Sequence, residues 1–134
     1  MHPIHVHLVQ FQLLNRQLFD SNNYTVALKN ANPVLVPGDG IPNPVDVTPY
    51  LLGEPVYPTN TNEYGWKDVI QALPNQVTRI IIRFSPQEHG TKFPFDPTIG
   101  SYVWHCHLIS HEDNDMMRPL QLVPLAEYIS IGTE

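Results

Sequence analysis

Cysteine is almost absent: Cys106 is the only one in 134 residues, so no internal disulfide framework can staple the fold. Its thiol is left as a core group, a nucleophile or a ligand. No apolar run is long enough to cross a bilayer, and no membrane partner is expected. Basic residues are scarce, with 7 Lys+Arg against 13 Asp+Glu and a formal charge of −6. That balance argues against a phosphate-backbone partner, so no nucleic acid is expected. The first residues show no basic segment followed by an apolar one, so no secretory signal is expected. There is also no internal repeat of about 20 to 50 residues and no long amphipathic helix. What remains is a globular composition, 42% hydrophobic and 15% charged, sized for one domain with a modest core.

Along the chain, residues 2 to 14 read as a strand with a period of two from Ile4 onward. Residues 15 to 65 are rich in Pro, Asn and Asp, with punctuation at Pro37-Gly38-Asp39-Gly40 and Pro42-Asn43-Pro44. They are expected to form a long irregular surface excursion, with a short helix or strand near Tyr24 to Leu28. Trp66 to Leu73 and Val77 to Phe84 read as two strands joined at Pro74-Asn75, with Arg79 and Arg83 on one face. A Pro/Gly-rich loop, 85 to 100, leads to a strand at 101 to 107. A last strand covers 118 to 123, and 124 to 134 is a tail. Short strands and Pro/Gly-rich turns make an antiparallel β-sandwich the expected architecture.

Six of the seven histidines fall in two windows, 2 to 7 and 105 to 111, and the second window holds the only cysteine. Side-chain alternation along strands divides them. Cys106 faces one way, with His2, His111 and Met116 as companions; His5, His7, His105 and His107 face the other. A soft thiolate, imidazoles and a distant thioether form the donor set of an electron-transfer copper. Each group also has a plainer reading. A lone buried cysteine is ordinarily a small core residue, and methionine ordinarily fills gaps, with spacing alone unable to rank Met116 over Met117. A His-X-His pair also suits a surface or half of a zinc site. His89 matches no motif and reads as a loop residue.

His-Pro-Ile-His-Val-His at 2 to 7, with His-Cys-His-Leu-Ile-Ser-His-Glu-Asp-Asn-Asp-Met at 105 to 116, resembles the paired C-terminal copper motifs of multicopper oxidases. Gly65-Trp66-Lys67-Asp68 and Asp115-Met116-Met117-Arg118-Pro119 are similar to the branch of bacterial spore-coat laccase, bilirubin oxidase and phenoxazinone synthase. The resemblance implies an all-β, cupredoxin-like Greek-key β-sandwich, here short of its first strands, as a single partial C-terminal domain over 1–134. It implies a type 1 copper on His2, Cys106, His111 and axial Met116, the family's Cys-to-Met interval favouring Met116. His5 would bind the type 2 copper, and His7, His105 and His107 the type 3 pair. Cys106 would be the electron entry point from a small phenolic or aromatic amine donor, with dioxygen reduced to water at the other coppers. Glu112 resembles an acid that helps deliver protons to dioxygen, a solvated loop carboxylate being its plainer reading. Asp68, Trp66 and Arg118 read as structural partners near the copper loops.

In that family the trinuclear site needs eight histidines, and this chain supplies four. The resemblance therefore implies partners: missing N-terminal cupredoxin domains, or self-association that completes the fold. An extracellular, periplasmic or spore-surface location is implied by the family alone. The competing functions are a blue-copper electron carrier without dioxygen chemistry and an inactive fragment.

Overall fold

A computed structural model describes residues 1–34, 43–88 and 90–124. Leu8 divides the first expected strand in two. Strand β1 spans His2–Val6 and β2 spans Phe11–Phe19, and between them Leu8 adopts a left-handed φ of 76°, uncommon for a non-glycine residue. The two strands lie in different sheets. The continuous strand expected over 2 to 14 is therefore a corner where the chain passes from one layer to the other.

The remaining strands are β3 (Leu51–Val56), β4 (Val69–Ala72), β5 (Gln76–Ile82), β6 (Tyr102–Cys106) and β7 (Met117–Leu120). One sheet has the order β4-β1-β6-β7 and the other β3-β2-β5, with antiparallel pairing throughout. The chain is thus all-β in two layers. β4 and β5 match the two expected strands at shorter lengths, but they enter different sheets. Asn75 makes the corner with a φ of 55°, a conformation asparagine tolerates. Pro119 sits in β7, an edge strand, where a missing N–H is least costly.

The excursion expected over 15 to 65 is more ordered than its composition suggests. β2 runs through to Phe19, helix α1 covers Ser21–Ala31, and β3 follows at Leu51. The helix or strand expected near Tyr24 is this helix. Asp20 starts it by accepting the Asn23 N–H at 3.1 Å, which satisfies one of the unpaired donors of the first turn. Tyr24 holds it down, packing between the rings of Phe19 and Tyr50 with centroids 5.9 and 5.5 Å away. Residues 35–42, with their expected turn at 37 to 40, lie outside the described residues, as do His89 and most of the expected tail.

Alternation along β2 buries Phe11, Leu13 and Asn15 and exposes Gln12 and Leu14. Phe11 and Leu13 join Val6 and Ile70 in the core, with Ile4, Ile80, Ile82 and Leu120 packed against them. The core is small. Beside β5, a groove of about 380 Å³ opens between the sheets, lined among others by Ile80, Ile82, Phe84, Trp104 and Leu120. β5 is an edge of the three-stranded sheet, and its residues Gln76, Thr78, Ile80 and Ile82 line this groove.

Candidate metal centre

Strands β1 and β6 lie side by side, and their register assigns the donors to faces. Ile4 pairs with Cys106, His5 with His105 and Val6 with Trp104. Residues opposite one another in an antiparallel pair point to the same face, and neighbours along a strand point to opposite faces. Cys106 therefore shares the inner face with Ile4, Val6 and, two residues earlier, His2. His5 and His105 occupy the outer face. The division expected from alternation holds across the two strands.

On the inner face, the fully buried Cys106 lies with its Sγ 3.7 Å from His2 Nδ1 and 3.8 Å from His111 Nδ1, and those two nitrogens are 3.0 Å apart. His111 arrives on the short helix α2, Ile109–Glu112, immediately after β6. The loop beyond is closed by main-chain bonds: Met116 N–H donates to His111 O at 3.1 Å and Cys106 N–H to Met116 O at 2.9 Å. This brings the Met116 backbone against Cys106. Asp115 turns the chain with a φ of 74° and pairs with Arg118 at 3.1 Å. Arg118 therefore pairs within this loop.

On the outer face, His5, His7 and His105 bring one ring nitrogen each within 4.8 Å of one another. His107 stands beside them, its ring centroid 5.3 Å from that of His105 and 5.7 Å from that of His5. His107 N–H donates to Pro3 O at 2.6 Å, tying the end of β6 to β1. Glu112 places Oε2 3.4 Å from His105 Nδ1. It faces the histidine cluster and is not a fully solvated loop carboxylate.

Burial, reinforced by the charge of the amino terminus and by His111, holds His2 below the ordinary imidazole range. Burial also lowers His7, with His5 and His105 adding to the effect and Glu112 opposing it. Both shifts favour the neutral imidazole, the form that binds metals. A thiolate with two imidazoles is a soft donor set that fits copper and does not suit calcium or magnesium. An imidazole-only cluster fits copper equally well.

One participant had no signature in the residue pattern. His5 Nδ1 lies 2.7 Å from the main-chain oxygen of Asp68, and every residue type carries such an oxygen. Asp68 stood out in the sequence only through the Gly65-Trp66-Lys67-Asp68 motif.

The model of the multicopper oxidase family matches residues 1–124. The chain belongs to the multicopper oxidase family. Its two-sheet antiparallel architecture is accordingly the cupredoxin-like β-sandwich that the resemblance implied. Among similar proteins, a laccase of Bacillus subtilis (strain 168) is 36% identical over 121 residues, covering 90% of this chain and 18% of the relative. The multicopper oxidase LPR1 homolog 1 of Oryza sativa subsp. japonica is 35% identical over 124 residues, covering 91% and 20%. The multicopper oxidase LPR1 of Arabidopsis thaliana is 34% identical over 126 residues, with the same coverage, 91% and 20%. The chain therefore spans about a fifth of the length of these relatives. Membership of that family implies copper as the metal.

Proposed function

We propose that this domain carries the electron-entry site and half of the dioxygen-reducing site of a laccase-type oxidase acting on phenolic or aromatic amine donors. His2, Cys106, His111 and Met116 would hold a type 1 copper, His5 a type 2 copper, and His7, His105 and His107 the type 3 pair. Bound copper would supply one-electron chemistry, oxidising the donor at the first site and reducing dioxygen to water at the second. The observation that carries this reading is the two-sided strand β6. Cys106 belongs to one cluster while, one peptide bond away on either side, His105 belongs to the other and His107 packs its ring beside it.

The residues divide the remaining work. Burial of Cys106 keeps water from the thiolate and preserves it as a ligand. His105 and His107 give the thiol two short covalent routes to the opposite face of the sheet. Glu112, with Oε2 3.4 Å from His105 Nδ1, would hold a proton next to the cluster and pass it on. The outer face would supply four of the eight histidines, and the other four would come from elsewhere, either from further domains or from a second copy.

Copper reconstitution tests the reading. The chain is expected to turn intensely blue, and Cys106→Ser to abolish the colour; a variant that stays blue would refute the type 1 assignment. Oxygen uptake with a phenolic donor is expected once the missing histidines are supplied by the rest of the oxidase. Blue colour without uptake in that completed form would leave a blue-copper electron carrier instead.

A further inference from the structure

His5 is held by an acceptor that belongs to neither cluster. Its Nδ1 lies 2.7 Å from Asp68 O, while Val6 N–H reaches the same oxygen at 3.4 Å. A carbonyl oxygen can only accept, so Nδ1 must carry the proton, and a neutral imidazole with that proton presents a bare lone pair at Nε2. His105 is less firmly fixed, its Nδ1 being 3.3 Å from Cys106 O and 3.4 Å from Glu112. Among the described residues, His7 and His107 have no ring hydrogen bond.

We propose that the main-chain carbonyl of Asp68 is a positioning group for His5, selecting the Nδ1–H tautomer and so presenting Nε2 to the outer-face metal cluster. This deepens the reading of His5 as a copper ligand and rests on it. The carbonyl is itself aimed by the core. Phe11, fully buried, exchanges two main-chain hydrogen bonds with Lys67, both at 2.8 Å, and so fixes the peptide immediately before the one that carries the Asp68 oxygen. Gly65, with a φ of +81°, turns the chain into that bridge without the backbone strain a residue with a Cβ would carry at that angle. Lys67 Nζ also donates to Asn62 O from within the same turn. Outer-sphere acceptors of this kind set the ring orientation and basicity of metal-ligating histidines.

Long-range proton–nitrogen correlation spectra of the metal-free full chain, recorded above the ordinary imidazole range, read the tautomer directly. His5 is expected as Nδ1–H in roughly tenfold excess, the equilibrium shift of one ordinary hydrogen bond. An Nε2–H tautomer, or an even mixture, overturns the proposal and leaves the copper assignment standing. Asp68→Ala keeps the main-chain oxygen and is expected to keep the tautomer. Loss of the preference there would transfer the role to the carboxylate and overturn the carbonyl's part. Copper titration of His5→Ala tests the underlying reading separately: one copper fewer per completed site supports it. Unchanged stoichiometry removes the metal role of His5 and leaves the tautomer measured on the unsubstituted chain to stand by itself.

Discussion

The thiol of Cys106 is sealed from water and faces two imidazole nitrogens. The same neighbours set a pH dependence. His2 and His7 titrate below the ordinary imidazole value when folded, so the unfolded chain takes up their protons first as pH falls. Their contribution to metal-free stability is fully present above about pH 6.5 and is lost as pH drops toward the lowered folded values. Urea midpoints should therefore decline on acidification from about pH 7.5 to about pH 5, and a combined His2→Gln, His7→Gln variant should flatten that decline. Glu112 makes a separate kinetic prediction. In the complete oxidase, Glu112→Gln should slow dioxygen consumption roughly 10²-fold, in the range of a lost proton donor, with the blue absorbance unchanged. Equal rates would reduce Glu112 to a structural neighbour of His105.

Strand β6 is the element on which both clusters depend, and its two-sidedness was legible from alternation because period two is a property of the strand itself. The break at Leu8 was not. A left-handed leucine has no residue-type signature, and its one trace in the sequence is a phase shift of the apolar alternation, from Ile4, Val6 and Leu8 to Val9, Phe11 and Leu13, which a single-strand reading passes over. The ordered part of 15 to 65 was hidden for a related reason: Asn and Pro density reads as loop, whereas α1 is secured by the Asp20 cap and by ring contacts to Phe19 and to Tyr50, 26 positions beyond Tyr24 in the chain. Phe11 links the core to the site through its bridge to Lys67. Phe11→Ala should cost about 3–5 kcal/mol in urea denaturation, typical of a large buried aromatic. It should also release the His5 tautomer under conditions where the variant remains folded; a retained tautomer would separate the core from the positioning of His5.

At the scale of the whole molecule, the sandwich is closed around Phe11 and open beside β5. Ile80, Ile82, Phe84, Trp104 and Leu120 line a groove that sheet pairing leaves uncovered, and an apolar groove next to an unpaired strand edge favours association. The chain studied alone is therefore expected to self-associate with concentration in sedimentation velocity and to enhance the fluorescence of a hydrophobic dye. Phe84→Lys should weaken both effects. A wild-type chain that sediments as a clean monomer without dye binding would show that the groove needs no cover.

The kinds of donor and their division between two faces were determined by the sequence alone, because ligand chemistry resides in residue type and facing follows from local periodicity. Only the tertiary structure decided that His2 meets a thiol 104 positions away, that β4 and β5 part into different sheets, and that an Asp68 carbonyl holds His5. Each of these depends on pairing between distant segments, where packing selects among registers that local pattern leaves equally open, and a main-chain oxygen becomes particular only through its place in the fold.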